Sequence, residues 1–189
     1  MGKGVDRRAD GGSAGSAAFE TAALACLDSL YRTALRLTRS PADAEDLVQD
    51  TYLRAFRAAA SFEPGTNLRA WLFTILHNAA RNRVRDRSRD AVTADSETVD
   101  RAADVWAGSD SQTPEGLLLR DVLTPDLQAA VDALPDVFRQ AVWLRDVEEF
   151  SYGDIAAMLD VPPGTVMSRI SRGRRLLFER LQHLKPVNA

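Results

Sequence analysis

The stretch Ser151-Tyr152-Gly153-Asp154-Ile155-Ala156-Ala157-Met158-Leu159-Asp160-Val161-Pro162-Pro163-Gly164-Thr165-Val166-Met167-Ser168-Arg169-Ile170 decides the fold of the C-terminal half. Ser151 and Asp154 have the spacing of a helix cap, a hydroxyl followed three residues later by an acid, so a short helix starts here. Ile155, Ala156 and Leu159 face inward from it, and Ala156 is small where two crossing helices would meet. Asp160 to Gly164 holds two prolines and a glycine and breaks the helix. A second helix starts at Thr165. Short helix, tight break and longer helix make a helix-turn-helix, which lays its second helix in a DNA major groove.

That second helix divides by face. Val166, Ile170 and Leu177 lie on one side, with Gly173 permitting close packing. Thr165, Ser168, Arg169, Arg172 and Leu176 recur at helical spacing on another. Arginine pairs bidentately with guanine, and hydroxyls meet base edges or phosphates. The free amides at the helix start suit a phosphate. Arg174, Arg175 and Arg180, further along, are placed to hold the DNA backbone. An isolated arginine-rich helix is ordinarily a solvated face; the turn chemistry and Ala156 favour DNA reading here.

Working outward, helices are predicted over 126–133, 136–148, 151–159 and 164–183. Residues 1–16 are rich in Gly, Ser and Ala and read as a disordered tail. A helix is expected from Ala17 to Thr38, with Leu24, Leu27, Leu30, Tyr31, Leu35 and Leu37 on its apolar side. Ser40-Pro41 stops it and starts a helix over 41–60, with Asp43 at the capping-box position. Glu63-Pro64-Gly65-Thr66 is a turn, and a third helix follows over 67–87 with Trp71, Leu72, Ile75, Leu76 and Ala79 buried. Residues 91–125 are rich in Asp, Ser, Thr and Ala and read as a flexible acidic linker, with a short helix near Leu117 to Val122. No segment alternates like a strand. The expectation is an all-α chain: two small helical domains, 17–90 and 126–185, joined by the 91–125 linker, the C-terminal one a helix-turn-helix.

The 189 residues carry a net charge of −3, low for a nucleic-acid binder. The distribution is segregated, however. Arg81, Arg83, Arg85, Arg87 and Arg89 form one basic run, and Arg169, Arg172, Arg174, Arg175, Arg180 and Lys185 form another. Acids gather in Asp43 to Asp50 and from Asp95 to Asp121. Cys26 is the only cysteine, which excludes an intrachain disulfide, and only His77 and His183 could join it around a metal. This suits a reducing cytoplasm. No apolar run is long enough to span a bilayer, and the N-terminus lacks a signal peptide's apolar core, so no membrane insertion is expected. No nucleophile–base pair, phosphate loop or metal cluster appears, so neither enzyme nor cofactor is expected.

The helix Asp43 to Ala58 is acidic first and basic last, complementing its dipole. Asp46, Asp50 and Arg54 share one side, as a polar interface requires. From Phe62 to Arg85 the chemistry suits single-stranded DNA. Phe62, Trp71 and Phe73 are stacking or packing groups, Asn78 and Asn82 hydrogen-bond bases, and the arginines attract the backbone. For Trp71, core packing weighs at least as much as base contact. His77 reads as structural.

The blocks Asp43-Ala-Glu-Asp-Leu-Val-Gln-Asp-Thr-Tyr-Leu-Arg-Ala-Phe56, Asn67-Leu-Arg-Ala-Trp-Leu-Phe-Thr-Ile-Leu-His-Asn78, Ala133-Leu-Pro-Asp-Val-Phe-Arg-Gln-Ala-Val142 and the helix-turn-helix occur in an order that resembles extracytoplasmic-function sigma factors of the sigma-70 family. The resemblance spans Phe19 to Leu181. It implies that Asp46, Gln49, Asp50 and Arg54 dock on the clamp helices of the largest subunit of core RNA polymerase. It implies minus-ten contacts from Phe62, Asn67, Trp71, Phe73, Asn78, Arg81, Asn82 and Arg85, with the loop Ser61 to Asn67 capturing a flipped base. It implies minus-thirty-five contacts from Thr165, Met167, Ser168, Arg169, Ser171, Arg172 and Arg175, and docking of the C-terminal domain on the polymerase flap. Several relatives carry basic or aromatic side chains at the positions of Met167 and Ser171, so their base preference does not transfer. The resemblance further implies promoter DNA and an anti-sigma factor as partners, a cytoplasmic chain that is monomeric when free, and a linker that threads the polymerase. The rival readings are a stand-alone helix-turn-helix regulator, for which the acidic helix has no role, and a protein-only adaptor.

Overall fold

The computed structural model describes residues 10–94 and 124–182, and within them the backbone is helical with no strand. The first half comprises α1 (Asp10–Leu24), α2 (Leu27–Thr38), α3 (Pro41–Arg57), a 3-10 turn (Ala59–Ser61) and α4 (Leu68–Ala94). The second comprises α5 (Pro125–Asp132), α6 (Asp136–Val142) running into a π turn (Trp143–Val147), α7 (Tyr152–Leu159) and α8 (Pro163–Gln182). The segment expected to form a short helix near Leu117 to Val122 lies outside the described residues. The all-α expectation holds.

Local chemistry sets the helix ends. Ser40 Oγ accepts from the Asp43 amide at 3.3 Å, with Pro41 in the first turn of α3. Ser151 and Asp154 form the expected reciprocal cap on α7: the Asp154 amide donates to Ser151 Oγ at 3.1 Å, and the Ser151 amide donates to Asp154 Oδ2 at 3.3 Å. Asp160 ends α7 in the left-handed region, φ 55°. Leu30, Leu47, Leu72 and Leu76 of the first half and Leu144, Ile155, Met158, Val166 and Ile170 of the second are buried in one continuous apolar cluster. Gly173 is obligatory, because a Cβ there would lie 2.6 Å from Val142 Cγ2.

Three expectations need correction. The single helix 17–38 is two, broken after Leu24. The Ala23 carbonyl accepts the Cys26 amide at 3.0 Å and the Tyr52 hydroxyl at 2.9 Å, so the chain turns there. Leu24 and Leu27 are consequently exposed instead of buried, and Cys26 is only partly covered. Helix α1 also begins at Asp10, inside the stretch read as tail, because extending an anchored helix is far easier than starting one. Finally, the helix expected over 136–148 widens after Val142. The Glu148 amide reaches the Trp143 carbonyl at 3.1 Å and the Phe150 amide reaches that of Leu144 at 3.0 Å.

That widening turns Trp143, Glu148 and Phe150 onto the first half. Arg69 donates to the Glu148 carboxylate and, at 2.7 Å, to the Glu148 carbonyl. Phe150 meets Phe73 edge-on at 4.7 Å. Trp143 Nε1 donates to Thr33 Oγ1 at 3.1 Å, and the Arg36 guanidinium lies 3.8 Å over its ring while bonding Asp132 at 2.8 Å and Gln128 at 2.7 Å. Burial pushes the Glu148 carboxyl's pKa up, against the pull of Arg69.

His77 sits fully enclosed beside Thr33, Arg36, Arg139, Trp143 and Leu144, at a cavity of about 20 Å³ between the halves. Burial, then the Arg81 charge, pushes its pKa down to about 4. The unfolded ring takes a proton near pH 6.5 and the folded one does not, so the stability tied to neutral His77 is complete above that pH and lost as the pH falls toward 4. We expect stability to fall by up to about 1.4 kcal/mol per pH unit in that window. Urea midpoints at pH 7 and pH 5 should therefore differ less for His77→Leu than for the parent; an equal difference would remove His77 as the cause.

Candidate nucleic-acid interface

The second helix of the helix-turn-helix is α8. Val166, Ile170 and Gly173 pin it to its domain. Met167, Ser168, Ser171, Arg172 and Arg175 are exposed on the opposite side, with Thr165 and Arg169 half-buried at its edges. Ser168 Oγ donates to the Thr165 carbonyl at 2.9 Å. Arg169 and Arg172 make no ion pair among the described residues, so their guanidinium forks are available to base edges or phosphates. Arg174 differs from the expectation. It pairs with Asp146 and is held against its own domain, with Nε to Oδ2 at 3.0 Å.

On α4, Asn78, Arg81 and Arg85 are exposed and Asn82 half-buried. Each asparagine accepts from the arginine three residues on, Arg81 to Asn78 and Arg85 to Asn82. The 61–67 loop leads into this helix. Gly65 supplies the positive φ of 94° at its tip, Thr66 closes it on the Glu63 carbonyl, and Asn67 Oδ1 caps α4 by accepting from the Ala70 amide at 3.1 Å. Phe62 and Trp71 are half-buried against each other, 5.4 Å between centroids. Phe73 takes the packing alternative: it is fully buried beneath Phe150 and presents no face to a base.

On α3, Asp46, Gln49 and Arg54 are exposed and Asp50 is half-buried. Asp50 accepts from Arg54 Nε at 2.9 Å. The acidic side borders an open groove of about 570 Å³ lined by Leu24, Leu27, Tyr31, Tyr52, Leu53 and Phe56. The sequence reading missed this apolar half, because helical periodicity counted Leu24 and Leu27 as core.

The family model for sigma-70 region 2 matches residues 23–90, and that for sigma-70 region 4 matches residues 125–177. The ECF RNA polymerase sigma factor EcfG of Rhodopseudomonas palustris is 38% identical over 154 residues, 82% of this chain and 80% of that protein. The chain belongs to the extracytoplasmic-function sigma factors.

This sigma factor is also 43% identical over 154 residues to the ECF RNA polymerase sigma factor SigE of Mycolicibacterium smegmatis, spanning 82% of its own length but 58% of SigE. Among solved structures, the sigma factor RpoE from Bartonella quintana, in complex with the anti-sigma factor NepR, superposes with a TM-score of 0.67 at 34% identity, over 90% of this chain and 98% of that one. The region 2 match contains α2, α3 and α4 as far as residue 90, hence the acidic helix and the asparagine–arginine face. The region 4 match contains the helix-turn-helix through Leu177. Arg36, Arg69, Trp143 and Glu148, which join the halves, carried no sequence signal, since partners 79 and 110 residues apart follow no local spacing.

Proposed function

We propose that this sigma factor directs core RNA polymerase to promoters and initiates transcription there. Asp46, Gln49, Asp50 and Arg54, with the groove edge at Leu53 and Phe56, dock α3 on the polymerase clamp. The loop 61–67 with Phe62, Asn67 and Trp71, and Asn78, Arg81, Asn82 and Arg85 on α4, take the minus-ten strand. Thr165, Met167, Ser168, Arg169, Ser171, Arg172 and Arg175 read the minus-thirty-five element, while region 4 rests on the flap. Domains 17–90 and 126–185 divide these tasks, and the 91–125 linker joins them through the polymerase. The observation that carries this reading is that one chain exposes an asparagine–arginine face on α4, an arginine-bearing face on the second helix of a helix-turn-helix, α8, and a separate acidic and apolar surface on α3. A stand-alone regulator has no use for the first and third.

The similarity to RpoE in complex with NepR supports control by an anti-sigma factor. We read the protein as cytoplasmic, monomeric when free, and without catalytic activity of its own; no helix among the described residues is long and apolar enough to cross a membrane. Run-off transcription with purified core enzyme on a promoter pool tests the proposal. Transcription should require the protein, and Asp46→Arg/Asp50→Arg should reduce it by about tenfold or more, since each tenfold needs only 1.4 kcal/mol of lost docking. Equally tight specific duplex binding without core enzyme would favour the regulator reading instead.

A further inference from the structure

We propose that Phe19 is a positioning residue for strand capture: its ring seats the 61–67 loop on α4 and ties it to the docking helix α3. The inference rests on the reading above that this loop takes a base from the separated strand. Phe19 lies on α1, outside the blocks in which the candidate contacts were found. Its ring centroid is 5.6 Å from Phe62, 6.1 Å from Trp71 and 6.4 Å from Phe56. At such distances aromatic rings attract through edge-to-face and tilted contacts. With the Phe62–Trp71 contact, three rings close a triangle where the chain leaves the 3-10 turn and enters the loop. Phe56 extends the cluster to Tyr52 by a stacked contact at 5.8 Å, and the Tyr52 hydroxyl holds the Ala23 carbonyl. Helix α1 is thus fixed at two points one turn apart.

Apart from the Asn67 cap at its exit into α4, the rest of the loop has no side-chain anchor outside itself. Ser61 and residues 63–67 are exposed, and their hydrogen bonds are local. Only Phe62 is half-buried, and Phe19 and Trp71 cover it. The position of the loop relative to the Asn78 and Arg81 face of α4 is therefore set at this ring cluster. Without Phe19 the loop samples more conformations, and the entropy of ordering it shifts onto DNA binding. Phe56, 40% exposed at the rim of the docking groove, belongs to the same cluster.

The test uses full-length chain reconstituted with core enzyme and a single-stranded minus-ten oligonucleotide carrying 2-aminopurine at successive positions. Phe19→Ala should weaken capture and quench the flipped-base signal by about tenfold, and Phe19→Leu by about threefold, while Phe19→Tyr, which keeps the ring, stays near the parent. Core affinity and binding of upstream duplex should stay within about twofold. Unchanged capture in folded Phe19→Ala and Phe19→Leu overturns the proposal. So does a parallel loss of capture, core affinity and thermal stability, or failure of both variants to fold, since Phe19 would then be an ordinary core residue. Asn67→Ala separates the levels: capture lost there but intact in the Phe19 variants sinks the positioning role alone, and capture intact in all of them sinks the loop reading as well.

Discussion

Arg69→Ala should separate the two halves of the free protein. The Arg69 guanidinium neutralises Glu148, whose side chain is 1% exposed, and lies 4.5 Å from the Phe150 ring and 5.1 Å from Phe73. Removing it takes away the ion-pair partner of a buried carboxylate and leaves it only the Arg32 charge and the Thr33 and Trp143 side chains. That costs about 3 kcal/mol, the low end for broken buried pairs because Arg69 itself is 34% exposed. The chain can relieve this by undocking the 143–150 segment and returning Glu148 to water. Small-angle scattering should show a larger radius of gyration for Arg69→Ala. Adding Glu148→Gln should restore part of the compaction, because a neutral amide is easier to bury. An unchanged radius and unchanged stability in the single variant would show that the pair does not hold the halves together.

Arg169→Ala/Arg172→Ala should abolish discrimination of the upstream promoter element. Arg172 is exposed on the outer side of α8 and Arg169 half-buried at its edge, neither with an ion pair among the described residues, and α8 is anchored from behind by Val166, Ile170 and Gly173. A good bidentate contact to guanine discriminates by about 1–3 kcal/mol, so losing two should lower holoenzyme affinity for the cognate element by about 100-fold or more. Arg175→Ala should act differently, weakening all sequences alike and reducing the salt slope by about one. Competition between intact and scrambled upstream elements reads both effects. If the double variant keeps its preference for the intact element, sequence reading belongs to other residues.

The helix-turn-helix was legible because its signals are local. The Ser151–Asp154 cap, the break at Asp160 to Gly164 and the inward Ile155 and Ala156 each act within a turn or two of chain. The α3 cap was legible for the same reason; the pairing of Asn78 with Arg81 and of Asn82 with Arg85 was not read from the sequence. The break at Cys26 was not, because it depends on a hydroxyl 29 residues away, Tyr52, reaching the Ala23 carbonyl. For Phe73 the sequence leaves stacking and packing open for a related reason. Its aromatic character suits a base or a core equally, and only Phe150, arriving from the other half, decides between them.

By itself, then, the sequence determined which segments are helices, where most of them start, that the chain divides into two helical domains, and which side of α8 packs inward and which carries its exposed arginines. Those properties follow from hydrogen bonds and apolar spacing over a few residues. Only the tertiary structure decided that the π turn carries Trp143 and Glu148 onto Thr33, Arg36 and Arg69, that His77 is sealed between the halves, and that Phe19 packs on Phe62 of the 61–67 loop. Each of these depends on groups far apart in sequence meeting where water is excluded, and burial there sets which contacts and charge states persist.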